Sequence, residues 1–336
     1  MKAYRLLDFR SLDDLQQCEE ETPRPQRGEV LIRVRAVSLN YRDIAMLGNR
    51  YPLSHRKGLV PTSDGAGEVV DVGPDVHDFK IGDRVVGLFH ARWFGGRMPM
   101  YSNQRGYGSE NDGWLCEFKV VSQEAVVHMP DNLSFEEAAT LPCAAVTAWN
   151  ALSGTAQIRA GHTVLIQGTG GVSIFALQFA RVLGASVIAT TSSAAKAERL
   201  RQFGASEVIN YQVEPHWGER VRELTQGKGV DRIVEVGGPG TIAESLRAIA
   251  PGGEIASIGF LSAQGAGIDF LALFGSLATF RPFSVGSRET LEDVCAIMAM
   301  SNIKPVIDRI FEFNDARAAY AHLDSGSHFG KVVVRC

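Results

Sequence analysis

The 336-residue sequence is 45% hydrophobic and 21% charged, with a formal net charge of −4, which describes a folded chain long enough for two cores and argues against disorder. Nothing in it argues for a membrane, and it has neither a strong positive charge nor a Lys/Arg run interleaved with aromatics to attract a phosphate backbone, so membrane and nucleic acid are not expected partners. Cys18, Cys116, Cys143, Cys295 and Cys336 are scattered and form no C-x-x-C pair, and MKAYRLLDFRSLDDLQ lacks the apolar stretch and cleavage site expected of a signal peptide, so reduced thiols of a cytoplasmic protein are expected.

Residues 1 to about 125 alternate short apolar stretches with glycine turns, as in EVLIRVRAV at 29–37, GEVVDVG at 67–73 and GDRVVG at 82–87. Runs of this length bounded by glycine predict strands, here a compact antiparallel barrel. Between 88 and 117 the pattern gives way to Gly, Arg and aromatics. A loop this long inside a domain is usually functional or mobile. Trp93, Phe94, Met98, Met100 and Tyr101 are candidates for an apolar substrate lid, or equally for loop-core or interface residues.

From about Asn132 the rhythm becomes strand, turn and helix. Strands are expected at 163–167, 186–190, 207–210, 232–235 and 254–258, with helices at 173–183 and 194–203 stopped by Gly184 and Gly204. Alternation of this kind is the sequence form of a doubly wound parallel sheet. It weakens beyond Leu271, and 331–334 looks like a final strand.

The first of these strands runs into Gly168, Thr169, Gly170, Gly171, Val172 and Ser173 before the helix. A dinucleotide site needs this order: the first glycine makes the turn, and the second lets backbone approach a pyrophosphate at the helix N-terminus. Ser173 stands where a third glycine would allow close packing of helix on strand. An NAD enzyme usually presents a carboxylate after the second strand, but residues 189–196 hold none. Ser192 and Ser193 can donate to a 2'-phosphate and Lys196 can neutralise it, which favours NADP; alternatively a serine merely caps the next helix. His128 and His162 read as ordinary turn or core residues, and no G-x-S-x-G nucleophile elbow occurs.

Several blocks in order, among them GEVLIRV at 28–34, SLNYRD at 38–43, GAGEV at 65–69, GDRV at 82–85, LPCA at 141–144, the cofactor loop and GKVV at 330–333, resemble the medium-chain dehydrogenases/reductases, specifically their zinc-independent quinone oxidoreductase and enoyl reductase branch. The resemblance implies an α/β fold with a GroES-like β-barrel catalytic domain, 1–127 joined by 272–336, and a Rossmann doubly wound parallel sheet over 128–271. It also implies a homodimer. Tyr211 and Lys196 become 2'-phosphate contacts, and Gly237, Gly259, Phe260, Val285, Ser287 and Lys331 border the NADP(H), with Arg288 a lesser candidate. In the zinc-dependent branch three ligands come from the segments that here read Asn40 or its neighbour, Ser63-Asp64, and Cys143. One surviving thiol does not make a catalytic zinc site, and the lobe carrying four cysteines in zinc enzymes offers only Cys116, so no metal is expected.

Without a Lewis acid, hydride transfer favours a conjugated acceptor that spreads the incoming charge. By resemblance, Tyr51 matches the enoyl reductases' proton donor; read from the residues alone, it could equally be a half-buried barrel tyrosine. Asn40 is a candidate amide donor and Asp43 an orienting group. The sequence therefore points to NADPH-dependent reduction of a quinone or enone. Interconversion of alcohol and aldehyde is the first alternative, and a non-catalytic NADPH- or RNA-binding role the second.

Overall fold

The computed structural model describes residues 1–48, 50–51, 55–100, 106–262, 265 and 267–336. Tyr101 lies outside these. The chain divides into one unit of Met1–Val146 with Val285–Cys336 and a second of Thr147–Ser284.

In the first unit, β1 (Lys2–Leu6) pairs with β2 (Leu15–Glu19), and the long β3 (Glu29–Leu39) organises a seven-stranded sheet. The β3 residues Val30, Ile32, Val34, Val37 and Leu39 are rich in β-branched side chains and enter the core. β3 is followed by the short α1 (Tyr41–Met46), and then by β4 (Asp64–Val72), β5 (Arg84–Gly87), β6 (Phe118–Ser122) and β7 (Val126–His128). β4 takes one edge of β3 and β6 part of the other.

The 88–117 stretch, expected as an irregular loop, is partly a packed lobe. Trp114 is fully buried against Gly65 and Gly87, where a Cβ would come within 2.5 and 2.1 Å of the indole, so only glycine fits. The buried Lys119 ammonium lies 4.6 Å from the Tyr107 ring and 5.5 Å from Trp114, and it donates to the Asp112 carbonyl. Among the aromatic and methionine candidates, Trp93 is buried and donates to the Gly96 carbonyl, whereas Phe94 and Met100 are exposed and Met98 is half-buried.

After α2 (Phe135–Ala138) a π-helical turn, Leu141–Ala145, leads into α3 (Val146–Ser153) and the second unit. Here β8 (Thr163–Gln167), α4 (Gly171–Val182), β9 (Ser186–Thr191), α5 (Ala194–Gln202), β10 (Glu207–Asn210), α6 (Trp217–Leu224), β11 (Val230–Glu235), α7 (Ile242–Ala248), β12 (Ile249–Ser257), α8 (Phe270–Ser276) and β13 (Thr279–Pro282) follow one another. All neighbours are parallel, in the order β10-β9-β8-β11-β12-β13. The order reverses between β8 and β11, the point where open α/β sheets bind ligands beyond their strands' carboxyl ends. Leu165, Ile188, Ile209, Ile233 and Ile255 form the core with Trp217, Val221, Ile242 and Leu246.

The chain then returns to the first unit through α9 (Arg288–Met300), β14 (Ile307–Glu312), α10 (Ala316–Asp324) and β15 (Lys331–Arg335). β15 pairs antiparallel with β3, Val332 opposite Leu39, beside β6 on the same edge. Hydrogen bonding within one sheet therefore unites the first and last segments. The β14–β15 pair is parallel, a departure from the antiparallel pattern. The unit boundaries also differ from 127/128 and 271/272. The Cys143 amide donates to Asp64 on β4, which keeps 128–146 with the first unit, and β13 completes the parallel sheet. Among the described residues no helix is long and apolar enough to cross a membrane.

Candidate functional site

In the second unit the turn after β8 is built for close approach. Gly168 has φ +70°, and neither it nor Gly170 has any atom within 4 Å of where a Cβ would stand. Gly170 is the N-cap of α4 and brings no side-chain acceptor to the helix's first amides, the arrangement that suits an anionic ligand. The helix takes in Gly171 and Val172, two residues earlier than expected. Ser173 is buried and donates to the Gln167 carbonyl at 2.6 Å. A hydrogen bond thus joins helix to strand where a third glycine would have allowed contact alone.

Sequence reasoning missed what holds this turn. Glu235, fully buried at the end of β11, accepts from Gln167 Nε2 at 2.7 Å, from the Gly237 and Gly238 amides at 2.9 and 3.0 Å, and from the Thr241 and Ser245 hydroxyls. Gln167 Oε1 in turn accepts from the Val236 and Gly237 amides. One carboxylate therefore locks the two turns at the switch point together, with its lone pairs satisfied. Gly237 sits in this network. The turn after β12 approaches the same place, with a Cβ on Gly238 falling 2.9 Å from the Gly259 carbonyl and 3.0 Å from Phe260 Cα.

One strand over, Ser193 caps α5 by accepting from the Lys196 amide, so its capping reading holds. Ser192 is exposed and Lys196 half-buried. The Tyr211 amide donates to the Thr191 carbonyl, which brings the partly exposed Tyr211 beside this turn. Because the sheet is parallel, Gly168 to Val172, Ser192, Ser193, Lys196, Tyr211, Gly237, Gly259 and Phe260 all lie at the carboxyl ends of its strands. These residues fit a dinucleotide: open glycine backbone at a helix start, and a serine, tyrosine and lysine, with no carboxylate at 189–196.

The first unit holds the remaining candidates. Val285 is buried at φ +46°, an uncommon conformation for a β-branched residue. Ser287 is occupied as the N-cap of α9, and Arg288 donates to Glu292 and to the Glu124 carbonyl. At the end of β3 the Asn40 amide N–H donates to Asp43 at 2.8 Å, fixing the start of α1. Asp43 is fully buried, and its carboxyl is pushed up to about 6 by burial, against the pull of Arg42 and the Asn40 amide.

Arg42, itself buried, donates to the Tyr107 and Gly108 carbonyls and places its guanidinium 5.5 Å from the Tyr51 ring and 4.9 Å from Phe89. Tyr51 is half-buried against the core. Asp64 opens β4 immediately after Ser63 and Thr62. Thr62 has φ +67°, and the close approach of Gly108 and Gly113 to its backbone holds that strained conformation.

Asp64 accepts from the Ser63 hydroxyl at 2.6 Å and the Cys143 amide at 3.1 Å. Burial raises its carboxyl, opposed by the Lys331 ammonium. Lys331 reaches this cluster from β15 and donates to the Leu39 carbonyl and to Asn40 Oδ1, both at 2.6 Å. Burial lowers the ammonium, opposed first by Asp64. Burial and Asp64 push the Cys143 thiol up.

This donor set does not fit a catalytic zinc: a single thiol, Cys143, stands with a carboxylate already bonded to Ser63 and the Cys143 amide, and the Lys331 ammonium lies on Asn40. Among the described residues no group of three His, Cys, Asp or Glu is arranged for a metal.

Residues 26–131 match the alcohol dehydrogenase GroES-like domain and residues 171–300 the zinc-binding dehydrogenase family. A zinc-type alcohol dehydrogenase-like protein of Schizosaccharomyces pombe is 40% identical over 335 residues, 98% of this chain and 97% of its own length. The quinone oxidoreductase of Pseudomonas aeruginosa is 33% identical over 92% of each. A structure of a putative alcohol dehydrogenase from Sinorhizobium meliloti superposes with a TM-score of 0.91 at 38% identity, covering 100% of this chain and 99% of that one. The Escherichia coli quinone oxidoreductase complexed with NADPH gives 0.85 at 25% identity over all of both chains. With the sheet order, the glycine turn and full-length relatives in agreement, the chain belongs to the medium-chain dehydrogenase/reductase family and is an NAD(P)-dependent oxidoreductase.

Proposed function

We propose that the chain is a zinc-free, NADPH-dependent reductase of conjugated carbonyls, enones or quinones. The observation that carries this reading is the buried Lys331 ammonium bonded to Asn40 and within electrostatic reach of Asp64, among the groups a catalytic metal would need for itself. Conjugation spreads the charge that no Lewis acid is there to take. The 168–172 turn would hold the pyrophosphate, with Ser192, Lys196 and Tyr211 on the 2'-phosphate and Ser193 ordering the helix start beneath it. NADPH, when bound, supplies the hydride. Asn40 and Tyr51 are the donors for the substrate oxygen, and Asp43 holds the backbone that carries Asn40. Donors fixed before reaction stabilise charge that develops during it.

A cytoplasmic homodimer completes the proposal. The five cysteines are free thiols, and α8 exposes Phe270, Leu271 and Phe274 beside the sheet-edge strand β13. Interconversion of alcohol and aldehyde is the second reading, favoured by the names of the S. pombe and S. meliloti proteins.

The test is NADPH consumption against enones, quinones, aldehydes and alcohols, with metal content measured on the same preparation. Enone or quinone reduction by zinc-free protein is expected, and Tyr51→Phe should lower kcat about 100- to 1,000-fold, as loss of a transition-state donor does, with NADPH affinity unchanged. Inert enones and quinones with turnover of simple alcohols would move the assignment to the second reading, as would one zinc per chain lost together with activity.

A further inference from the structure

Asn40 is only 8% exposed, and its two polar atoms have different surroundings. Oδ1 accepts from the Lys331 ammonium at 2.6 Å; Nδ2, near the Asp64 carboxylate, makes no hydrogen bond of ordinary geometry. An ammonium carries donors and no acceptor, so it can face only the oxygen end of an amide. Turning the Asn40 amide over would set an NH2 against an NH3⁺ inside the fold, where such contacts are poorly screened.

Lys331 cannot readily swing away, because its Nζ is also bonded to the Leu39 carbonyl and β15 is bonded along β3. Lys331 on the oxygen side and the Asp64 carboxylate on the nitrogen side therefore favour the same orientation of the amide, and Nδ2 is a buried donor of fixed direction. A cation on the carbonyl side also draws electron density from the amide and strengthens the N–H as a donor.

We propose that Lys331 is a positioning residue: it acts through Asn40, orienting and polarising the amide that donates to the substrate oxygen. The role rests on the proposed use of Asn40 as a donor. It differs from the direct cofactor contact that the family resemblance implied for Lys331. The charge also belongs to a balanced buried set, with Lys331 and Arg42 beside Asp43 and Asp64.

The test is a double-mutant cycle of Lys331→Met and Asn40→Ala, read as kcat, KM, NADPH affinity by fluorescence titration, and thermal unfolding. Lys331→Met should lower kcat by about 10- to 100-fold, the usual effect of losing a group that orients a working ligand, with little change in KM or NADPH affinity. In the Asn40→Ala background the same substitution should lower kcat by less than about twofold, because the two act as one unit. Lys331→Arg should recover most of the loss.

Multiplicative losses, or parent-like kcat in Lys331→Met, would overturn the proposal. So would a loss confined to NADPH affinity, which would make Lys331 a cofactor contact. If Lys331→Met does not fold, Lys331→Gln, which keeps a donor toward Asn40 without the charge, takes its place in the cycle. The cycle is run on the best substrate of the parent. Alcohols as the only substrates would refute the conjugated-carbonyl reading, while the coupling of Lys331 to Asn40 is still decided by the same measurements.

Discussion

Lys196 and Ser193 share the first turn of α5 but serve different ends. The Ser193 hydroxyl holds the Lys196 amide, which orders the turn, whereas the Lys196 side chain adds charge at the carboxyl end of β9. Lys196→Ala should weaken NADPH binding by roughly 1.5–3 kcal/mol, the value of a charge-assisted contact, while leaving NADH binding nearly unchanged. Fluorescence titration with both cofactors checks this, and an equal loss for both would remove Lys196 from the phosphate site. The glycine turn and the Ser193 cap were legible because they are local, lying on successive elements of one stretch of chain. The Lys331–Asn40 bond was not, since it joins residues 291 positions apart and exists only because β15 lies against β3. Glu235 was hidden for a related reason: nothing in its neighbours shows that five donors converge on it.

Among the elements, the strands and helices of the parallel sheet were legible from their alternation, and the observed ends shift by a few residues where glycine turns join a helix or a strand begins early. The 88–117 lobe was not, because its order comes from an indole seated on two glycines and a lysine over aromatic rings, none of which has a period. Long-range ion pairing across β11, β12 and β13 was equally invisible. Glu254, 3% exposed, accepts from the Thr155 amide and hydroxyl and from Arg281, and lies 3.4 Å from the buried Arg232. Burial raises its carboxyl, but the Thr155 and Arg281 hydrogen bonds outweigh that and leave it below the ordinary 4.5. A carboxyl lowered on folding contributes stability above its unfolded value and loses it as pH falls through the folded one. Glu254→Gln should therefore cost about 3–5 kcal/mol at pH 7, as breaking a buried pair does, and the difference from the parent should shrink below the ordinary 4.5. Urea unfolding at both pH values is the measurement, and a pH-independent difference would contradict the charged role.

At the scale of the whole molecule, two-unit organisation and the return of the chain to its first unit were anticipated by resemblance, while the boundaries were not. They depend on which sheet a segment bonds to, as with the Cys143 amide on Asp64 and β13 on β12. The partner surface is likewise a property of the assembled unit. α8 presents its aromatic pair to solvent, Phe270 and Phe274 stacked 6.5 Å apart, next to a parallel edge strand that has one side unpaired within its sheet. Edge strands and apolar faces of this kind are covered in most stable proteins. Light scattering should give a dimer mass at micromolar concentration, and Phe274→Glu should shift it toward monomer without loss of secondary structure. A monomeric parent would reject the proposed dimer.

The Lys331 contact also constrains the mutational routes open to this fold. Introducing a thiolate or imidazole ligand near Asn40 or at Ser63 while Lys331 remains would set any bound dication beside a buried ammonium. Removing Lys331 first would take away the charge that opposes the burial of the Asp64 carboxylate. On the proposed zinc-free reading the substitutions are therefore epistatic: a metal ligand set and the buried lysine oppose each other, and exchanging one for the other requires coupled changes.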